Sequence, residues 1–145
     1  MRVASPVPTP LPEPFLRFIE LFNAGHYWES HEVLEQPWRA NRSDFYQGLI
    51  IYASAFVHAQ RGNPRGVRLQ LLKVQQKLPP YSPYYLGIDV DALLADASRI
   101  LRMLDEDPSL SGPALRERLP YPRLVPEPRL VRGNEPELNW RGRIL

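Results

Sequence analysis

The stretch Phe45-Tyr46-Gln47-Gly48-Leu49-Ile50-Ile51-Tyr52-Ala53-Ser54-Ala55-Phe56-Val57-His58 is apolar on nearly every side when it is drawn as a helix. The residues before it, Asn41-Arg42-Ser43-Asp44, offer oxygen atoms that can cap a helix and a negative charge that favours its first turn. A helix that is apolar all round must be covered by other parts of the chain. We therefore predict that this stretch is the central helix of an all-α bundle.

The few polar side chains of this helix share one stripe, within about 60° of one another at 3.6 residues per turn. They are Gln47, Ser54, His58 and Arg61. The stripe either faces solvent or faces a polar site, since buried polar side chains need hydrogen-bond partners. Both interpretations stay open on the sequence alone.

Four other segments have apolar residues at helical spacing and are separated by glycine or proline. They cover about 14–24, 26–37, 64–77 and 90–105. Pro37 is expected to kink or end the second helix, whereas Gly62-Asn63-Pro64 ends one helix and begins the next. Strand-like alternation is missing from the sequence. The predicted fold is therefore a compact all-α bundle of about five helices without a sheet.

Proline-rich arms flank the predicted bundle. Residues 1–14 alternate proline with other residues, which favours an extended N-terminal arm. Residues 15–105 are the predicted bundle domain. Residues 106–145 contain one more short helix, which ends near Leu119, and then an extended proline-rich C-terminal tail.

The C-terminal tail mixes arginine and glutamate with hydrophobic residues such as Leu124, Leu138 and Trp140. Such a tail either packs along the bundle or a partner subunit, or is mobile, and the sequence does not separate the two. A homo-oligomer formed through the tail is therefore one expected arrangement. Nucleic-acid binding is disfavoured, because glutamates interrupt the arginines.

Composition limits the function classes further. The chain of 145 residues has no cysteine, which excludes disulfides, thiolate metal sites and cysteine nucleophiles, and which fits a cytoplasmic protein. No run reaches the roughly 20 apolar residues of a membrane span, and the N-terminus lacks the apolar core of a signal peptide. The net charge of +2 does not indicate polyanion binding. We expect a single soluble domain that is neither exported nor inserted in a membrane.

The second predicted helix carries the only dense cluster of acid, base or metal-ligand side chains, His31, Glu32 and Glu35. On a helix, His31 shares one face with hydrophobic neighbours and points inward, with Trp28 and Glu35 on the flank of that face. The neighbours are Tyr27, Leu34 and Trp38. A histidine in that position is either a hydrogen-bonded core side chain or a ligand.

Three motifs together resemble a known family. They are His-Glu-x-x-Glu-x-x-Trp over residues 31–38, Tyr-Gln-Gly-Leu-Ile over residues 46–50 with His58 at the far end of the same helix, and Arg-Gly-Asn-Pro over residues 61–64. In this order they resemble the bacterial and archaeal family called domain of unknown function 309, over about residues 15–105. The resemblance implies a small all-helical bundle. Because members are sometimes labelled predicted metal-dependent hydrolases, it also implies that a metal-dependent hydrolase is a candidate function.

The residues can support a metal hypothesis. In His-Glu-x-x-His hydrolases, two histidines four residues apart bind zinc while the adjacent glutamate activates water. Here Glu35 stands in place of the second histidine, so His31 and Glu35 are the first candidate ligands and Glu32 is the candidate general base. The expected metal is zinc or manganese. The aromatic and polar neighbours that would support the site are Trp28, Trp38, Tyr46 and Gln47.

His58 is the candidate third ligand. If the second and third helices form a simple hairpin, facing residue numbers sum to about 81, which places Gln47 near Glu35. His58 then lies about 12 Å along the axis from the level of His31. It can reach the site only if the loop or the crossing angle shifts this register.

The alternative is a structural polar network without chemistry. Glu32 and Glu35 could pair with nearby arginines while His31 bonds to a tyrosine or to Gln47. The arginines are Arg39, Arg42 and Arg68. In that case the protein is a non-enzymatic interaction or oligomerisation module.

Overall fold

The central helix predicted from the sequence is the centre of the observed bundle. The computed structural model describes residues 11–139, and this range contains six α-helices. They are α1 (Glu13–Asn23), α2 (Tyr27–Asn41), α3 (Asp44–Gln60), α4 (Pro64–Lys77), α5 (Val90–Glu106) and α6 (Gly112–Arg118). The all-α fold class is confirmed. Most of the predicted N-terminal arm, and Trp140 in the tail, lie outside the described residues.

Helix α3 is capped and covered as its sequence suggests. Ser43 Oγ accepts a hydrogen bond of 3.0 Å from the amide of Tyr46, which satisfies one free donor of the first turn. Aromatic rings cover its inner side, where Phe22 of α1 stacks on Tyr52 and meets Phe56 edge-on. None of the helices in residues 11–139 is long and apolar enough to cross a membrane.

Helix α2 continues past Pro37, so the expectation that the helix ends at this residue is wrong. The helix runs to Asn41 and closes at Arg42, which has a left-handed conformation (φ 55°) and donates its amide to the carbonyl of Trp38. Pro37 costs the helix one backbone hydrogen bond. Its ring is buried, and the burial of apolar surface offsets part of that cost. Trp38 therefore lies inside the helix and not at its exit.

A short β-hairpin corrects the expectation of no sheet. Strand β1 (Tyr84–Tyr85) pairs antiparallel with β2 (Ile88–Asp89) across Leu86-Gly87, within what the sequence predicted to be an aromatic loop. Both turn residues have positive φ, at 48° and 78°, as the tightest hairpin turns require. Asp89 Oδ1 then accepts a hydrogen bond from the amide of Ala92 and caps α5. The hairpin thus fixes where α5 begins.

Two glycines let α3 and α4 approach closely. A Cβ atom on Gly48 of α3 would overlap the side chain of Leu78, which follows α4. A Cβ atom on Gly66 of α4 would overlap the ring of His58 on α3. The lack of a side chain at Gly48 therefore permits the close approach of Leu78. Each helix therefore fits one side chain into a gap that a glycine leaves on the other.

The tail packs on the bundle over residues 120–139, which decides between the two alternatives for the part of the tail that the structure describes. The side chain of Asn23 holds the backbone of Leu124 through two hydrogen bonds of 2.7 and 2.8 Å. Tyr121 stacks on Tyr27, and Leu124 and Leu138 are buried. The tail is irregular except for two 3₁₀ turns, Pro128–Leu130 and Pro136–Asn139.

Two buried glutamates bind the end of the tail to the bundle. Glu137 accepts hydrogen bonds from Ser43 Oγ (2.6 Å) and from the hydroxyl of Tyr85 (2.7 Å). Glu135 accepts bonds from three backbone amides. These belong to Leu86, Arg132 and Gly133. Burial by itself would raise the pKa of Glu135, but the backbone donors outweigh burial and hold this pKa below its ordinary value of 4.5.

Replacing Glu135 by glutamine should destabilise the protein by about 1–3 kcal/mol at neutral pH, because an amide cannot accept all the bonds that the carboxylate accepts. The wild-type protein should also lose stability as the pH falls below about 4.5, since a carboxyl group whose pKa is lowered by folding stabilises the fold only while it is ionised. The loss should be smaller in Glu135→Gln. Thermal melting across the acid range measures both effects.

Glu127→Gln is the matched control, because Glu127 lies in the same tail but is half-exposed and pairs with Arg129 at 3.3 Å. Its melting temperature should stay close to that of the wild type. A Glu135→Gln protein with wild-type stability and wild-type acid sensitivity would contradict the role given to Glu135.

Candidate functional site on helix α2

Helix α2 places His31, Glu35 and Arg39 in one row, because side chains four residues apart are neighbours on a helix. Glu35 Oε1 accepts a hydrogen bond from Arg39 Nη2, and Glu35 Oε2 lies 3.5 Å from His31 Nδ1. We call these three residues the α2 polar row. The structure thus brings the two candidate ligands of α2 together, and it adds an arginine on the carboxylate.

The His31 side chain lies at the margin of the core and not inside it. Tyr27 and Leu34 are buried, whereas 21% of the His31 side chain is exposed. The other side of the imidazole is covered by Trp28, whose ring stacks on it with a centroid distance of 5.3 Å. Trp28 itself is 51% exposed. The sequence predicted that His31 points inward with the hydrophobic residues. The structure agrees only in part, because the imidazole is largely covered but lies at the edge of the core.

One atom of the polar row lacks a hydrogen bond. His31 Nδ1 is buried and has no hydrogen-bond partner among residues 11–139, because the 3.5 Å separation from Glu35 is too long for a good bond. A small movement of either side chain would join them. Glu35 can therefore orient the imidazole of His31. Alternatively, His31 and Glu35 can together offer one nitrogen and one carboxylate to a cation.

Glu32, the candidate general base, is exposed on α2. It is about 100° around the helix from His31 and shares no ion pair or hydrogen bond with any residue in 11–139. Trp38 is half-buried, and the Arg42 guanidinium lies 4.9 Å from the centre of its ring. Glu32 therefore lies on the exposed side of α2, and the polar row lies beside it.

The other candidate residues lie against different parts of the fold. His58 packs against Gly66, and its Nδ1 is 3.3 Å from Asn63 Nδ2 at the start of α4. Gln47 borders a surface cavity with Lys73 and Lys77 of α4. Tyr46 is fully buried, and its hydroxyl has no hydrogen-bond partner among the residues that the structure describes. Burial and then the charge of Glu137 raise the pKa of Tyr46.

The register between α2 and α3 differs from the simple estimate because α2 is longer than predicted. The two helices are joined by Arg42 and Ser43 alone, so facing residue numbers sum to about 85. His58 then lies about 6 Å along the axis from the level of His31, closer than expected. Its ring is nevertheless held by α4. Within residues 11–139, no group of three or more His, Cys, Asp or Glu side chains is placed to hold a metal ion.

Comparison with known proteins gives a family match at the motifs quoted above. Residues 15–69 match the model of the family described as domain of unknown function (DUF309). The match spans α1 to α3 and the start of α4, which is less than the 15–105 stretch of the resemblance, and the family description names no activity. Searches of curated proteins and of solved structures found no match.

Sequence reasoning missed the stack of Trp28 on His31. The signal was available, because residues three apart on a helix are neighbours. The sequence suggested Arg39 only as an ion-pair partner of the glutamates in a structural polar network. The structure contains this ion pair between Arg39 and Glu35.

Replacing His31 by alanine should destabilise the protein by about 1–3 kcal/mol, because the stacked ring is lost and a gap remains beneath Trp28. His31→Phe should recover most of this loss, since it keeps an aromatic ring and removes the buried nitrogen that lacks a partner. Urea unfolding measures both variants.

His26→Ala is the control, because the His26 side chain is 62% exposed and makes no capping bond. It should cost no more than about 0.5 kcal/mol. If His31→Phe were as unstable as His31→Ala, the packing role of the ring would be wrong.

Proposed function

We propose that the protein is a non-enzymatic interaction module that self-associates through the outer face of α2. This face consists of Trp28, Glu32, Glu35, Gln36 and Arg39. The observation that carries the proposal is the half-exposed ring of Trp28, held flat against His31. The cytoplasmic location expected from the cysteine-free sequence is part of the same proposal.

An exposed tryptophan that is already fixed in position suits an interface. Tryptophan and arginine are enriched among the residues that contribute most to binding between proteins. A ring immobilised by stacking loses little additional freedom when a partner covers it. Here Trp28 is fixed by its stack on His31, and Arg39 is held by Glu35. The face therefore presents both residue types in fixed positions.

The charges of α2 favour a second copy as the partner. Residues 27–35 of the helix carry Glu29, Glu32 and Glu35, whereas Arg39 lies in the last turn and Arg42 caps the end. Two such helices that pack antiparallel across a twofold axis place the acidic half of each against the basic end of the other. With the axis near position 35, Glu32 of one copy faces Arg39 of the second copy.

A metal-dependent hydrolase with His31 and Glu35 as ligands and Glu32 as general base is the second candidate. It is favoured by the buried His31 Nδ1 that lacks a partner beside a carboxylate. Against it, catalytic zinc sites normally use three protein ligands, and His58 is held by α4. Glu35 is also already paired with Arg39, whose positive charge disfavours a cation beside it. We therefore rank this function below self-association.

Sedimentation velocity tests self-association. The wild type should form a dimer, and Trp28→Ala should weaken it roughly 10-fold or more. Glu32→Arg or Arg39→Glu alone should also weaken it, because each places like charges opposite each other. The double variant Glu32→Arg with Arg39→Glu should restore the dimer, since the facing charges are again opposite.

Arg102→Glu on the exposed side of α5 is the control for a charge reversal elsewhere, and it should leave the dimer unchanged. A wild type that stays monomeric at high concentration overturns the proposal. A dimer that survives Trp28→Ala and both single reversals also overturns it, and would point to another surface, such as the tail.

Added zinc or manganese separates the two candidate functions. Under our proposal, neither ion should raise the melting temperature of the wild type more than that of Glu35→Gln. If the wild type responds strongly and Glu35→Gln does not, a metal binds the folded state through Glu35, and the hydrolase candidate is favoured instead.

A further inference from the structure

A small cavity lies between α3, β2, α5 and the tail. Its volume is about 200 Å³. Its apolar lining includes Ile88, Leu93 and Leu124, and its polar lining includes Tyr52, Asp96 and Arg123. Because Leu124 and Arg123 belong to the tail, the cavity exists only while the tail is docked.

Tyr52 borders this cavity and carries a buried hydroxyl. Tyr52 is fully buried, and its hydroxyl oxygen has no hydrogen-bond partner within the described part of the chain. Burial, and then the charge of Asp96, raises the pKa of Tyr52, so the phenol keeps its proton. A buried polar group without a partner destabilises the folded state unless something in the cavity binds it.

Most charged groups around the cavity already have partners. Asp96 binds Arg99 at 2.8 Å, and Asp89 caps α5 through the amide of Ala92. The Arg123 side chain makes no ion pair or hydrogen bond with any residue in 11–139. The groups without partners are therefore the phenol of Tyr52, which is buried beside the cavity, and the exposed guanidinium of Arg123.

We propose that this cavity binds a small carboxylic acid with a compact apolar body. The carboxylate would pair with Arg123, because guanidinium groups bind carboxylates through two parallel hydrogen bonds. The apolar body would lie on Ile88, Leu93 and Leu124, and a polar atom at its far end would bond to the Tyr52 hydroxyl.

The volume limits the size of this acid. A single water needs only about 10–15 Å³ by a comparable measure, whereas an engineered cavity of about 150 Å³ in another protein holds benzene. A cavity of about 200 Å³ therefore matches a body of about one six-membered ring. Pockets for drug-sized ligands are larger, at about 300–1,000 Å³.

The same geometry couples the ligand to the tail. A bound acid would contact α5 through Leu93 and the tail through Arg123 and Leu124. A ligand that binds only while the tail is docked on the bundle stabilises the docked tail. We therefore expect binding to reduce hydrogen exchange in residues 120–126.

The test is an NMR titration of the full chain with benzoate, 4-hydroxybenzoate, benzyl alcohol and benzylamine. The two acids should bind and shift the amide signals of Leu93 and Leu124. Benzyl alcohol should bind roughly 10-fold more weakly than benzoate, because it cannot pair with a guanidinium. 4-Hydroxybenzoate should bind better than benzoate, since its hydroxyl can reach the Tyr52 hydroxyl.

Three variants make the result specific. Arg123→Gln should weaken both acids roughly 10-fold or more. Tyr52→Phe should remain folded, since it removes only a hydroxyl without a partner, and should abolish the preference for 4-hydroxybenzoate. Arg102→Gln on α5 is the matched control and should bind both acids like the wild type.

The proposal is overturned if neither acid binds at millimolar concentration, which would mean that water alone fills the cavity. It is also overturned if benzylamine binds more tightly than benzoate, or if Arg123→Gln binds both acids like the wild type. These outcomes are independent of whether α2 forms a dimer.

Discussion

The close contact between α3 and α4 is the constraint on which the rest of the structure depends. Gly48 on α3 receives Leu78, and Gly66 on α4 receives the His58 ring, so each helix blocks sliding of the other. Leu78 is followed by the turn and the hairpin that start α5. The hairpin in turn supplies Leu86 and Tyr85, which bind Glu135 and Glu137 of the tail. Overpacking at either glycine would therefore disturb the contacts that follow along the chain.

The contact between α3 and α4 also limits which side chains can join the polar row of α2. It holds the His58 ring at the start of α4, which leaves His31 and Glu35 as a pair with Arg39. Helix α2 packs on α1 and α3 with one face only. Its other face exposes Trp28 beside charged residues, a composition that is common at interfaces and uncommon on an inert surface.

Local patterns predicted the helices well because their causes are local. Apolar periodicity located α1, α4 and α5, and Asn63 caps α4 by accepting a hydrogen bond from Gly66 as the sequence suggested. The sequence did not predict that α2 continues past Pro37. The general energetic cost of proline in a helix does not include the burial of its ring, which depends on this fold. The three sequence motifs pointed to His31 and Glu35, which are neighbours on α2, but only the structure placed His58 against α4.

The tail shows where sequence reasoning stops. Glu135 binds the amide of Leu86, which is 49 residues earlier in the chain, and no periodicity connects the two. From the sequence, the tail glutamates served only as an argument against nucleic-acid binding. The Tyr52 cavity is equally non-local, because it is bordered by α3, α5 and the tail.

The most direct measurement of the central claim is covalent cross-linking across the α2 pair. The chain has no cysteine, so Gln36→Cys introduces a single thiol near the expected twofold axis. A short bismaleimide should convert this variant to a covalent dimer at micromolar concentration, whereas Gln76→Cys on the exposed side of α4 should remain largely monomeric. If both variants cross-link to the same small extent, two α2 helices do not meet, and the proposed function of this face is wrong.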